Sequence, residues 1–279
     1  MVPLRKIVFV VNPTKAEAPA IAHVLSEVAE EAGAEVALTE AFPLPAEALA
    51  EADCCVVIGG DGSILGVVAA AARQSVPVMG INVGTLGFMA NYRADEAAAA
   101  FHGILEGNYG LDERRLLLAI ARDGREVRAL NDLVIKAYTS RLLRLQVSSG
   151  GKLVNHYSAD GLIFSTPTGS TAYNLSAGGP IVHPETRAIV LTPINPHTLT
   201  NRSIVIDEAR VLEVDLADNG PPVTVAADGM EVLTPEDFPL KICVCATQRL
   251  RLVQHEDYSH FYVLREKLRW TGDTPKREG

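Results

Sequence analysis

Large rings are scarce in this 279-residue sequence: it holds one tryptophan, and aromatic residues make up only 5% of it. Its core must therefore be filled by aliphatic side chains, and the abundant alanine suits helices packed closely on a sheet. Basic residues are outnumbered, 25 Lys and Arg against 34 Asp and Glu, which leaves a net charge of −9. Nucleic-acid binding rests on phosphate neutralisation, so an acidic chain without a basic stripe is a poor candidate for it. A small anionic ligand is not excluded, because a cluster of backbone N–H groups can hold phosphate inside an acidic protein. Long apolar runs are missing as well. No stretch approaches the ~20 residues of a membrane span. The run after Arg5-Lys6 is cut at Asn12-Pro13, too soon for a signal peptide. The expectation is a soluble, cytoplasmic protein with neither nucleic acid nor membrane as partner.

Cysteine is sparse too. The four residues Cys54, Cys55, Cys243 and Cys245 lack zinc-finger spacing and sit in apolar, strand-like runs, where a thiol behaves as a small hydrophobe. Reduced thiols suit the cytosol.

The pattern that is present changes character near residue 111. Before it, strands Lys6 to Val11, Glu35 to Leu38, Cys54 to Ile58 and Val78 to Ile81 alternate with helices at Ala18 to Ala32 and Ile64 to Arg73. Such alternation predicts an open, mainly parallel α/β sheet. After it the chain is β-rich, with helical patches expected at Thr171 to Leu175 and Glu185 to Leu191, and a terminal helix over Tyr258 to Leu268. The expected division is an α/β domain, 1–111, and a β-rich domain, 112–257, followed by the helix and polar tail of 258–279.

Three motifs carry chemistry. Gly59-Gly60-Asp61-Gly62-Ser63 lies between a strand and a helix, where glycines admit phosphate close to the backbone. A carboxylate repels phosphate, so Asp61 makes sense there as a base aimed at a hydroxyl or as a magnesium ligand. A tight turn capped by aspartate reads equally well from this motif alone. It is neither a Walker sequence nor a Gly-x-Gly-x-x-Gly fingerprint. The second motif, Asp160-Gly161 through Thr166-Pro167-Thr168-Gly169-Ser170-Thr171-Ala172-Tyr173, is a dense run of hydroxyls that can read an adenine edge or a ribose, with Tyr173 offering a stacking face. A glycine-rich turn, Ser176-Ala177-Gly178-Gly179-Pro180, follows. The third, Asn131-Asp132, suits a ribose diol, although turn chemistry explains the dipeptide too.

As an ordered set, with Pro193-Ile194-Asn195-Pro196-His197-Thr198-Leu199 and Asp257-Tyr258-Ser259-His260-Phe261 added, these motifs resemble the signature of the bacterial NAD kinases. The resemblance implies an NAD kinase fold and transfer of the γ-phosphoryl of ATP, or in some members polyphosphate, to the 2′-hydroxyl of the adenosine ribose of NAD. It further implies magnesium or another divalent cation, a homodimer or homotetramer, and a C-terminal helix and tail, 258–279, that pack back on an N-terminal nucleotide domain; no side chain is assigned to the metal. Asp61 is the implied catalytic base, and Gly59, Gly60 and Gly62 the phosphate-binding backbone. NAD contacts are implied for Asp61, Gly62, Phe88, Asn131, Asp132, Asp160, Thr168, Thr171, Ala172, Tyr173 and Ser176. Two positions depart from the pattern: Asp132 stands where relatives often carry glutamate, and Met230 where a polar residue such as glutamine is expected. His156, His183, Arg141 and Arg144 are read as packing or surface residues. The competing readings are a lipid or sugar kinase sharing Gly-Gly-Asp-Gly, and a non-catalytic NADP-binding regulator.

Overall fold

The computed structural model describes residues 3–139, 142–198, 200–217, 221–254 and 258–270. Arg141, Leu199, Asp257 and the polar tail lie outside these residues. The chain forms two compact units, Met1–Asp112 with Arg251–Gly279, and Glu113–Leu250. The return to the first unit thus begins at Arg251 rather than at Tyr258.

In the first unit β1 (Lys6–Val11), α1 (Ala18–Glu31), β2 (Glu35–Thr39), β3 (Cys54–Gly59), α2 (Asp61–Leu65), α3 (Val68–Gln74), β4 (Val78–Asn82), β5 (Tyr92–Arg93) and α4 (Ala94–Leu105) follow in turn. The strands pair in parallel, in the order β4-β3-β1-β2, with β5 beside β4. The runs of Val, Ile and Cys in β3 and β4 are buried throughout, as strands covered on both faces must be, whereas β2 is a largely exposed edge. Helix α1 lays Ala18, Ala22, Leu25 and Ala29 against this sheet, at the spacing of one helical face.

The expected helix over Ile64 to Arg73 is two short helices instead. The break falls at Gly66, where a Cβ would stand 1.9 Å from the Phe42 ring, so the ring packs directly on the backbone. Helix α4 was not expected. Its alanine-rich sequence hides an apolar stripe of Ala97, Phe101, Ile104 and Leu105, all buried.

The second unit takes up β6 (Gly110–Ile120), which enters it at Glu113. There follow β7 (Glu126–Ala129), β8 (Asp132–Ala137), β9 (Leu143–Ser149), β10 (Lys152–Ala159), β11 (Gly161–Ser165), α5 (Tyr173–Ser176), β12 (Ala188–Ile194), β13 (Ile204–Asp207), β14 (Leu212–Leu216), β15 (Val223–Ala227), β16 (Met230–Leu233) and β17 (Leu240–Gln254). One antiparallel sheet has the order β13-β12-β11-β8-β15-β16. In the other, β10, β9, β14 and β17 are neighbours. Leu133, Ile135, Leu162 and Phe164 of the first meet Leu145, Val147, Leu212 and Ile242 of the second in one aliphatic core.

Two expected helical patches are corrected. Glu185 to Leu191 runs into β12, because Ile189, Val190 and Leu191 occupy a strand with partners on both sides and no exposed face. Thr171 to Leu175 is not one helix: a 3-10 turn over Thr168–Thr171 is followed, after a break at Ala172, by the single-turn α5. The terminal helix α6 (His260–Leu268) belongs to the first unit and starts behind Ser259, whose hydroxyl accepts the Tyr262 N–H.

All four cysteines are free thiols. Burial pushes the Cys54 thiol up to about 12 and Cys55 well above its ordinary value, as befits packing residues. Among the described residues, no helix is long and apolar enough to cross a membrane.

Candidate functional site

In the first unit the chemistry gathers at the carboxyl ends of β1 and β3. Gly59 closes β3 where a Cβ would stand 2.2 Å from the Ser63 hydroxyl, so only glycine admits the turn. Asn12, at the end of β1, donates from Nδ2 to that hydroxyl at 2.9 Å and accepts from the Thr14 N–H and hydroxyl. Gly60, Gly62, Ser63, Asn12, Thr14 and Lys15 line a cavity of about 430 Å³. Lys15 supplies this cavity with a cation and Gly60 and Gly62 with open backbone, since a Cβ at either glycine would meet nothing within 4 Å.

Asp61 opens α2 and is half-buried. Its carboxylate is clasped by three consecutive backbone N–H groups. Phe88 donates to Oδ2 at 2.8 Å, and Met89 and Ala90 both donate to Oδ1 at 2.9 Å. Gly87 makes this possible, because a Cβ there would stand 2.2 Å from Oδ1. Two carboxylate oxygens offer about four acceptor positions. Among the described residues, Oδ1 has both of its positions filled and Oδ2 keeps one open. The loop behind the clasp is itself held: the Tyr258 hydroxyl donates to the Phe88 carbonyl at 3.4 Å, and the His260 ring lies 6.2 Å from the Phe88 ring.

In the second unit Asn131, Asp132, Ala172 and Tyr173 line a cavity of about 320 Å³ together with Lys136, Thr224 and Asp228. The Lys136 ammonium sits 4.3 Å from the Tyr173 ring centroid, a cation–π contact. Asp132 is only 5% exposed. Burial first, and the Asp228 carboxylate second, push its carboxyl up to about 7, against the opposing pull of Lys136. The hydroxyl-rich loop packs on the Asn131-Asp132 turn from behind. Thr166 donates its N–H to the Asn131 carbonyl and its hydroxyl to the Leu130 carbonyl, and a Cβ on Gly169 would stand 2.1 Å from the Asn131 oxygen. The loop is further tied by Ser170, which bonds both Pro167 and Val182, and by the buried Asn174, which donates to Ser170 and accepts from Thr192.

The remaining expected contacts stand apart from this cavity. Thr168 is buried, its hydroxyl accepting from Arg114 at 3.4 Å, and Thr171 donates to the Thr168 carbonyl. Asp160 is exposed and accepts from Asn195 Nδ2, and Ser176 is exposed at the end of α5. Met230 is 51% exposed. Lys136, Asp228 and the Asn12–Lys15 segment were not singled out from sequence. Only the Asp228-Gly229 dipeptide, a hairpin-turn signal, offered a clue. Among the described residues, no group of three His, Cys, Asp or Glu side chains is placed to hold a metal ion.

Residues 130–254 match the family model described as the ATP-NAD kinase C-terminal domain, and residues 43–109 that of the ATP-NAD kinase N-terminal domain. The chain is 40% identical over 227 residues to an NAD kinase of Syntrophobacter fumaroxidans, covering 79% of this chain and 80% of that one. It is 42% identical over 227 residues to one of Ectopseudomonas mendocina, covering 78% and 76%. Among solved structures it resembles an Archaeoglobus fulgidus NAD kinase in complex with ATP, with a TM-score of 0.76, 25% identity, and 96% and 100% of the two chains covered. A yeast NADH kinase complexed with NADH matches in fold, with a TM-score of 0.82 at 23% identity over 98% and 90% of the chains. With glycine turn, clasped aspartate and Asn-Asp cavity all set on matched domains, the chain belongs to the NAD kinase family, and its reaction is the phosphorylation of NAD.

Proposed function

We propose that this chain transfers the γ-phosphoryl group of ATP to the 2′-hydroxyl of the adenosine ribose of NAD, with polyphosphate as the alternative donor. The observation that carries this reading is the Asp61 carboxylate, fixed by three N–H groups and left with one acceptor position on Oδ2. A hydroxyl donating to that position gives its proton to Asp61 as its oxygen bonds to the γ-phosphorus. The bond from that phosphorus to the bridging oxygen breaks, and ADP leaves. Phosphoryl transfer depends mainly on such positioning and on neutralising charge. Gly59, Gly60 and Gly62 give the phosphates their backbone approach, and Lys15 on the same cavity adds a positive charge.

Asn131 and Asp132 hold ribose hydroxyls, and Ala172 and Tyr173 form the adenine side. Thr168 and Thr171 shape the loop behind them, Asp160 and Ser176 offer exposed polar groups to other parts of NAD, and Phe88 acts through its N–H on Asp61. The divalent cation, magnesium or another, belongs to this reading as a companion of the triphosphate. Phosphate and water oxygens suit it, and when bound it would supply charge neutralisation on the phosphates. We further propose a cytoplasmic setting, which four free thiols suit, and a homodimer or homotetramer, for which the edge strand β13 with exposed Val205 offers a surface.

The test is NADP formation from NAD by purified protein, with ATP, polyphosphate or no donor, for the wild type and Asp61→Asn. The amide keeps one oxygen for the clasp but cannot take a proton. Turnover is expected to fall by roughly 10²–10⁴ with NAD binding retained. Near-normal turnover in Asp61→Asn would remove Asp61 from the role of base.

A further inference from the structure

The hairpin turn between β15 and β16 is built from Asp228 and Gly229, both in the left-handed region, with φ of +47° and +84°. Glycine takes this conformation freely and aspartate tolerates it. The turn aims the Asp228 carboxylate at three consecutive backbone N–H groups of another segment. Leu130 donates to Oδ2 at 2.7 Å, Asn131 to Oδ1 at 2.7 Å, and Asp132 to Oδ1 at 3.2 Å. In return the Asp228 N–H donates to the Asp132 carbonyl at 3.0 Å. Successive amides converging on one anion form a nest, here filled by a side chain of the same unit.

Every polar backbone group at this point is spent on holding the turn. Thr166 holds it from the other side by hydrogen bonds to the carbonyls of Leu130 and Asn131, and Gly169 packs closely on the Asn131 carbonyl. What the turn leaves for a ligand is its two side chains, Asn131 and Asp132, on the cavity they share with Lys136 and Tyr173. The cost of this arrangement is a second carboxylate beside Asp132. No packing requirement calls for it, since a neutral turn residue such as asparagine would also close the hairpin.

We infer that Asp228 is a positioning residue for NAD: its carboxylate holds the Asn131–Asp132 turn and sets the charge that Asp132 presents to the ribose. The inference rests on the reading that Asn131 and Asp132 contact ribose hydroxyls. The titratable groups on the cavity that Asp132 lines are Asp228 from the β15–β16 turn, Lys136 from its own strand, and Tyr173 from α5, over which Lys136 lies. Like charge from Asp228 adds to burial in pushing Asp132 up to about 7. Near neutral pH the Asp132 carboxyl therefore passes from a hydroxyl donor to a full acceptor, and an acceptor is what a ribose diol needs.

The experiment is steady-state kinetics in NAD across about pH 5.5–8.5 on the full chain, comparing the wild type with Asp228→Asn, Asp132→Asn and Asn131→Ala. Asparagine tolerates the left-handed conformation and keeps one acceptor oxygen, and thermal melts accompany every variant. Should Asp228→Asn fail to fold, Asp228→Ser replaces it. In the wild type, KM for NAD falls as pH rises through about 7. In Asp228→Asn at about pH 8, KM rises roughly tenfold, the size of one lost charge-assisted hydrogen bond, while kcat changes little. The pH at which KM falls also moves down, because the like charge is gone. A purely structural role would lower the melting temperature and the active fraction without moving that pH. Wild-type KM and an unmoved pH profile in Asp228→Asn, with KM raised in Asp132→Asn and Asn131→Ala, overturn the inference alone. Unchanged KM in those last two variants overturns the ribose reading, and the inference with it.

Discussion

Asp132 shows how much a single side chain can carry. It sits at the start of β8, 5% exposed, with burial and the Asp228 carboxylate pushing its carboxyl up to about 7. In an unfolded chain an aspartate titrates near about 3.9. Between about pH 4 and pH 7 the folded protein keeps a proton that the unfolded chain has released, so stability falls as pH rises across that window. The contribution is fully present below it and gone above it. Asp132→Asn is uncharged at every pH and escapes this loss. Its melting temperature relative to wild type is therefore expected to be higher at about pH 8 than at about pH 5. An equal difference at both values would mean that the buried carboxyl is not raised. Little of this was legible in the sequence. Asn131-Asp132 could be picked out as a candidate ribose contact, but Asp228 acts on Asp132 from 96 residues away in the chain, through a carboxylate whose partners are backbone amides. Nothing in a dipeptide Asp-Gly tells a hairpin turn from a brace.

At the scale of elements, the legible parts were those whose burial is uniform. β1, β3 and β4 are short, largely apolar runs bounded by turn residues and covered on both faces, which is how a buried parallel strand reads. Elements with mixed faces are harder to read: α4 because alanine blurs its stripe, β10 because an edge strand carries polar residues such as Lys152, Asn155 and His156, and the start of β12 because Glu185 to Leu191 contains a few residues at helical spacing. The loop over Gly84 to Ala90 is a third case. Gly84 and Gly87 mark a turn in the sequence, yet its use is to bring three N–H groups onto Asp61. That use gives a test. In Gly87→Ala the new methyl would stand 2.2 Å from Asp61 Oδ1 and 3.0 Å from the Ala90 carbonyl, so the carboxylate or the loop must shift. A displacement on the order of 1 Å at a reacting group can cost about 10²-fold in rate. The variant is expected to remain folded by circular dichroism and to lose about that much kcat. Unchanged kcat would show that the clasp does not set the position of Asp61.

At the scale of the whole molecule, the organisation is a chain that leaves its first unit at Asp112 and returns to it at Arg251. The return is structural. Leu252 pairs with Val78 at the end of the parallel sheet, Val253 joins the core of α1, β1 and α4, and Val263 and Leu264 of α6 are buried. Gln254 donates to Asp112 at 3.1 Å, so the point of exit and the returning strand are neighbours within the unit. Each fully buried aliphatic side chain contributes about 1.5–3 kcal/mol, and a domain's entire stability is about 5–15 kcal/mol. Removing four such side chains therefore takes away as much as the unit has to spare. A fragment of residues 1–112 is expected not to melt cooperatively, although it contains Asp61 and all of its clasp. Joining residues 251–270 to it through a short Gly/Ser linker after Asp112 should restore a cooperative thermal transition, since the linker has only a small gap to cross. Circular dichroism and a melt of the two fragments decide the matter: a native-like transition in 1–112 alone would mean that the returning segment decorates the unit rather than completing it, whereas failure of both would mean that the unit draws on more of the chain than its own residues.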